Sequence, residues 1–269
     1  MERIIEHRRK RLTEELREVA RSAGLIRTLA LREWRIKYAQ TRMGLVWAVL
    51  PVALYTGVYS FFFSYVLRVE APLPYPLIAL SGLPGWNYCK DIIYQAGPSI
   101  QQEQALLKKS YLPKLIIPLY KSLLGLAELL ISLLLLLGVL VLLGRGVSAN
   151  AWALPLIVAA NFVTGLSVAL WVSALSGRHR DLYHLTAAAL NIGIWFTPVF
   201  YLPELLPAAY SHYLFLNPMA GILGWYRWAL LGLAPPPPLA WAGLALALLL
   251  FLSGLRYFFD KQHELIDNS

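Results

Sequence analysis

Four basic residues, Arg32, Arg35, Lys37 and Arg42, lie close together just before the first long apolar run of the chain. Clustered cations bind phosphate groups through charge-assisted hydrogen bonds, and helix amino termini can add backbone donors. Such cations also anchor membrane proteins on the cytoplasmic side, where Lys and Arg are retained. The cluster therefore indicates either a site for a diphosphate head group or ordinary anchoring.

A second polar cluster lies in residues 101–114, between two apolar runs. This segment predicts a short amphipathic helix before Pro113, with two leucines as an apolar knob and charges around it. In protein interfaces a few apolar anchors supply most of the contact energy, while charges at the rim set the orientation. We interpret the cluster as a contact with a partner protein, and the alternative is a solvated connector. Its residues are Gln102, Glu103, Leu106, Leu107, Lys108 and Lys109.

Aromatic residues make up 13% of the chain, and several of them fall in the first two apolar runs. Aromatic rings can stack on the C–H faces of sugars, and Asn and Tyr can bond to sugar hydroxyls. A channel lined this way would let a sugar polymer slide without strong registry, and the alternative role of these residues is helix packing together with the aromatic belts at membrane boundaries. The candidate passage residues are Tyr55, Tyr59, Phe62, Trp86, Asn87 and Tyr88.

The sequence lacks the residues that ATP hydrolysis, metal binding or catalysis would need. ATP hydrolysis requires a glycine-rich loop ending in Gly-Lys-Ser/Thr, and the sequence has no such string. The histidines are scattered and Cys89 is the single cysteine, so we predict no metal site, no catalytic residues and no cofactor. A membrane-embedded enzyme would need paired carboxylates or a His/Asp cluster, and no such pair follows the amino-terminal segment.

Glu128 is the acidic residue deepest in an otherwise apolar run. It could relay protons, as in a secondary transporter, for which Asp91 is the other candidate. The favoured alternative is an ion pair with a lysine of a neighbouring helix, or with Lys121, seven residues and about two turns away.

The composition points to lipid as the solvent. The chain of 269 residues is 58% hydrophobic and 14% charged, with a mean hydropathy of +0.55, which is more apolar than a soluble domain of this size. Its net charge of +9 could suit nucleic acid, but half of the 24 Lys and Arg residues precede position 44. We read this asymmetry as a topology signal that places the amino terminus in the cytoplasm, and we expect no nucleic-acid partner and no signal peptide.

These features predict an all-α integral membrane protein with six transmembrane helices, at about 44–65, 75–99, 115–143, 152–175, 182–200 and 239–259. Residues 1–43 form a cytoplasmic interface segment with two amphipathic helices, residues 44–259 the transmembrane domain and residues 260–269 a cytoplasmic tail. Prolines and glycines interrupt residues 203–234, which predicts a re-entrant helical pair. The second span is so polar, with Lys90 and Asp91, that we expect it to face other helices or water.

Ordered motifs in the sequence carry a family resemblance. The first motif is Leu31-Arg32-Glu33, followed by Tyr38-Ala39-Gln40-Thr41-Arg42-Met43-Gly44-Leu45-Val46-Trp47. The later motifs are, in order, Ser81-Gly82-Leu83-Pro84, Arg180-Asp181-Leu182, Thr197-Pro198-Val199-Phe200-Tyr201, Leu216-Asn217-Pro218 and Arg227. The series resembles type-2 ABC exporter permeases of the polysaccharide branch, which includes Wzm, KpsM and TarG. Two departures are Glu33, where the family usually has Asp, and the charged pair Lys90-Asp91.

The resemblance implies a homodimer that works with two copies of a separate ATPase subunit, which binds the ATP. It implies export of a polyprenyl-diphosphate-linked polysaccharide, such as an O antigen, capsule or teichoic acid, across the bacterial inner membrane. It also assigns residues 101–114 as a coupling helix. The alternative within the same superfamily is an exporter of a lipid or small drug.

Overall fold

The computed structural model describes residues 12–39, 42–44, 46–104, 107, 112–176 and 181–262. Every regular element in these ranges is a helix, as the sequence predicts. The longer helices are α1 (Leu12–Arg21), α2 (Ala23–Ala39), α3 (Val46–Phe61), α4 (Tyr75–Ala96), α7 (Leu126–Leu142), α8 (Leu154–Ser176), α9 (Asp181–Gly193), α11 (Pro218–Leu231) and α12 (Leu239–Lys261). Short helices are α5 (Ser99–Gln102), α6 (Ile116–Ser122) and α10 (Ala208–Ser211).

Helix α4 lies at the centre of the bundle. It contacts α3, α6, α7, α8 and α11, and most of its residues are buried. Glycines let neighbouring backbones approach it closely: a Cβ added at Gly82 would collide with the carbonyl of Val199, and one at Gly85 would lie 3.0 Å from Tyr226. Small residues serve this purpose in membrane helices. The expectation that this polar helix faces other helices is confirmed by its burial.

Within the described residues, four helical segments are long and apolar enough to cross a membrane: Val46–Val66, Ile116–Leu142, Ala149–Ser176 and Leu239–Lys261. They coincide with predicted spans 1, 3, 4 and 6. Helix α4 lies at the predicted span 2 but carries Lys90 and Asp91, which lower its hydropathy. Its 22 residues extend over about 33 Å, so its length alone allows a crossing.

The predicted fifth span is not one continuous helix. Helix α9 ends at Gly193 after 13 residues, and turns follow towards Pro198. A helix of this length covers about 20 Å, less than the hydrocarbon core. The Thr197 hydroxyl donates to the Gly193 carbonyl and caps the helix where the prediction continued it.

Residues 203–234 are interrupted where their prolines and glycines fall. Two 3-10 turns and α10 precede α11, which begins with an Asn217 cap and ends at Gly232 with φ of 68°. The segment therefore contains a four-residue helix and a 14-residue helix, and the re-entrant pair stays a prediction. Helix α11 packs on α4, α8 and α12.

The described part of the predicted interface segment contains two helices, α1 and α2, divided at Ser22 instead of Gly24. Helix α1 buries Glu15 and Val19, and Gln262 donates a hydrogen bond of 2.8 Å to Glu15 Oε2. Helix α1 therefore packs on the carboxyl-terminal end of α12.

Candidate functional site

The site is organised by ion pairs that hold helix α2 against the bundle. Glu33 and Lys37 lie four residues apart, on one face of the helix. Glu33 pairs with Lys121 of α6, and Lys37 Nζ lies 2.6 Å from Glu128 Oε1 of α7. The Tyr38 hydroxyl donates to the same Glu128 oxygen at 2.5 Å. Two contacts one turn apart therefore fix both the position and the rotation of α2.

The favoured interpretation of Glu128 as one half of an ion pair is confirmed, and the partner is Lys37. The alternative partner Lys121 is wrong, because α6 ends at Ser122 and α7 begins at Leu126. The turn between them breaks the two-turn spacing. Burial and the hydrogen bond to Glu128 raise the pKa of the Tyr38 hydroxyl, so Tyr38 remains a donor at neutral pH.

Lys121 contacts two segments that are far apart in the sequence, helix α2 and the segment after α5. Its ammonium is 5% exposed and lies 3.0 Å from Glu103 Oε1, while it also contacts Glu33. Glu103 follows α5 directly, at the start of the predicted coupling segment. One buried cation thus connects that segment to the interface helix α2.

The predicted coupling residues differ in their surroundings. Gln102 is exposed and Glu103 is paired, whereas Leu107 is 7% exposed and belongs to the main core. A core position excludes Leu107 from an exposed apolar knob, so that part of the prediction is wrong. Leu106, Lys108 and Lys109 lie outside the described residues.

The predicted head-group cations also divide into two groups. Arg32, Arg35 and Arg42 are exposed, and none of them forms an ion pair with another residue in the described ranges. Lys37 is neutralised by Glu128. Three of the four cations therefore remain available to an anion.

A cavity of about 410 Å³ lies between α2, α3, α4 and α7. Its polar lining includes Lys37, Asn87, Lys90, Asp91 and Glu128, and its aromatic lining includes Trp47, Tyr55 and Tyr88. The charged pair Lys90-Asp91, one of the two departures from the family pattern, thus lines the same space as Glu128.

An aromatic cavity of about 200 Å³ adjoins it and shares Tyr55, Asn87 and Lys90 with it. Tyr59 stacks on Phe200 with ring centroids 3.4 Å apart, and Trp195 meets Tyr59 at 6.2 Å. Trp195, Phe200 and Asn191 line this cavity, although they are not among the predicted passage residues. The sequence did not single them out, because they lie in the predicted fifth span, 182–200, whereas the passage was predicted from aromatic residues of the first two spans.

The predicted passage residues do not form one surface. Tyr55 and Phe62 are about half exposed, whereas Trp86 and Tyr88 are buried. Tyr55, Tyr59, Trp86 and Asn87 line the aromatic cavity, and Tyr88 lines the larger one.

Arg227 fixes the segment that carries Phe200. Its guanidinium is 2% exposed and donates to the Val199 carbonyl at 3.0 Å and to the Ser81 hydroxyl at 3.3 Å. Arg227 falls within the predicted re-entrant segment 203–234, and its burial and hydrogen bonds indicate a structural role.

No protein-family model matches the chain. The chain is 24% identical over 203 residues to the "O-antigen export system permease protein RfbA" of Klebsiella pneumoniae, covering 75% of this chain and 78% of that protein. It is 26% identical over 214 residues to the protein of the same name from Myxococcus xanthus, covering 79% and 82%.

The resemblance to polysaccharide-export ABC permeases is confirmed. These relatives and the four apolar helices support a multi-pass membrane protein that acts as the transport subunit of an ABC system. A permease of this kind has its chemistry in binding and conformational change, which agrees with a site made of ion pairs, aromatic rings and two adjoining cavities.

Proposed function

We propose that the chain is the membrane-spanning subunit of an ATP-driven ABC exporter that moves a polyprenyl-diphosphate-linked polysaccharide of the O-antigen type across the inner membrane. The observation that carries this proposal is the similarity to permeases named for O-antigen export, which extends over three quarters of the chain. The aromatic cavity supports a glycan as the cargo, because rings can bind sugars without fixing a register.

The assembly is a homodimer with two copies of a separate ATPase subunit, which binds the ATP. Helices α3 and α9 and the turn that follows α9 support a second copy as the neighbour, since they leave large apolar side chains exposed beside the aromatic cavity. Those side chains include Leu54, Tyr55, Val58, Phe61, Leu185, Ile192, Trp195 and Phe196.

The diphosphate head group binds Arg32, Arg35 and Arg42 on the exposed face of the interface segment. Arg side chains suit this role because their planar guanidinium groups bind phosphate oxygens through two hydrogen bonds. Lys37 contributes less, because its charge is already compensated by Glu128. The ATPase meets the segment that begins at Gln102.

The chain crosses the membrane six times, with both termini in the cytoplasm, and residues 203–234 enter from the outer side and return. Single cysteines at Pro203 and Ala234, introduced after a Cys89→Ser replacement, test this topology. A membrane-impermeant maleimide should label both positions from outside in intact cells. Labelling from opposite sides would refute the six-crossing arrangement.

Deletion of the gene in its own organism tests the function. We expect the surface polysaccharide to disappear and its lipid-linked form to accumulate at the cytoplasmic face, and affinity purification of the restored chain should recover an ATPase subunit. A normal surface polysaccharide in the deletion strain would refute the proposal, and a missing lipid or drug efflux activity there would favour the alternative exporter.

A further inference from the structure

The larger cavity is lined by the Glu128 carboxylate, and only one of its two oxygens accepts hydrogen bonds from described residues. Glu128 Oε1 accepts from both Lys37 and Tyr38. Glu128 Oε2 is buried and has no hydrogen-bond partner among the described residues. An unsatisfied buried acceptor costs about 1–3 kcal/mol, so a ligand with hydroxyl donors would gain from binding next to it.

The charges around this oxygen balance. Asp91 interacts electrostatically with Lys37, Lys90 and Glu128, and all four side chains line the cavity. Two ammonium groups and two carboxylates give donors and acceptors without a net charge. This lining therefore suits a polar but uncharged ligand, and carboxylates at its wall disfavour an acidic one.

Part of the lining is aromatic. Trp47 and Tyr55 line the cavity and are 51% and 54% exposed. About half of each side chain is therefore accessible to a ligand. The volume of about 410 Å³ falls within the range of small-molecule sites.

We propose that this cavity is a subsite for one uncharged pyranose ring of the transported glycan. Glu128 and Asp91 accept its hydroxyls, Asn87 adds a donor and an acceptor, and Trp47 stacks on its C–H face. The subsite rests on the proposed function, and it assigns to Glu128 and Asp91 a role in choosing the sugar. It is separate from the exposed arginines, which bind the diphosphate.

Saturation-transfer NMR on the full-length chain in lipid nanodiscs tests the subsite. The probes are the methyl glycosides of glucose, galactose, mannose and N-acetylglucosamine, because weak ligands suit this measurement. We expect at least one probe to receive saturation from the native protein. Glu128→Gln, Asp91→Asn and Trp47→Ala should each lower that signal at least fivefold, while inorganic pyrophosphate should not compete.

Two matched variants separate binding from structural damage. Trp152→Ala removes another exposed Trp, 70% exposed and remote from the cavity lining, and should keep the signal. Lys121→Met breaks the other ion pair of α2, with Glu33, and Lys121 is not part of the cavity lining, so this variant should retain more than half of the signal. An equal loss in Lys121→Met and Glu128→Gln would overturn the subsite, because both would then act by detaching α2.

The absence of saturation transfer to every probe in the native protein would also overturn the subsite. That result would leave the proposed function standing if gene deletion still abolished the surface polysaccharide. A normal surface polysaccharide after deletion would instead refute the proposed function itself.

Discussion

Lys121 Nζ lies 3.0 Å from Glu103 Oε1, so α6 is joined to the residue that follows α5. The same ammonium contacts Glu33 of the interface helix α2. A displacement of the segment after α5 would therefore reach α2 through one side chain. This link could transmit movement from an ATPase to the exposed cations of the interface helix.

Replacing Lys121 with Met should weaken that link. The two carboxylates would lose their shared buried partner, and we expect the folded state to lose about 1–3 kcal/mol. Thermal unfolding in detergent measures the loss, and Arg145→Met, at an exposed position after α7, is the control. An unchanged unfolding temperature in Lys121→Met would mean that solvent already satisfies Glu33 and Glu103.

Substitutions at two positions of the coupling segment should have different effects, one on folding and one on binding of the ATPase. Leu107→Asp places a charge in the core and should prevent correct folding. Gln102→Asp alters an exposed side chain and should leave the fold intact while weakening co-purification with the ATPase. Size-exclusion chromatography and affinity capture measure the two effects. If Gln102→Asp kept the full amount of bound ATPase, the contact surface would lie elsewhere.

Gly82→Ala should destabilise the chain. The new methyl group would collide with the Val199 carbonyl, and that carbonyl is also held by Arg227. We expect a loss of roughly 1–3 kcal/mol, typical of an overfilled core. Gly138→Ala in α7 is the matched control, because a Cβ there meets nothing within 4 Å. Equal unfolding temperatures for the two variants would contradict this packing.

The contribution of the Tyr38 hydroxyl should depend on pH. Its pKa is raised in the folded state by burial and by the hydrogen bond to Glu128. The stabilisation is therefore fully present below the pKa of an unfolded tyrosine, about 10, and is lost as the pH rises towards the higher folded value. Tyr38→Phe should be less stable than the native chain at pH 8, and the difference should shrink at pH 11. A difference that grows with pH would reverse the assignment.

The apolar periodicity predicted most of the helices, and composition was enough to indicate the membrane. The apolar periodicity did not predict the end of α9 at Gly193, because the sequence stays apolar after the backbone turns. The ion pairs could not be predicted from local sequence patterns either, since Lys37 and Glu128 are 91 positions apart. The sequence presented Lys37 as one of four similar cations, and tertiary packing alone distinguishes it from the arginines.

The central place of α4 has a consequence for biogenesis. Lys and Asp each cost about 2.5–3.5 kcal/mol at the centre of a helix that inserts from the translocon, and less towards its ends. Helix α4 carries both Lys90 and Asp91 in its carboxyl-terminal half. Its main neighbours α7 and α8 are synthesised later. Helix α4 is therefore expected to wait at the translocon until those helices emerge, and to enter the lipid together with them.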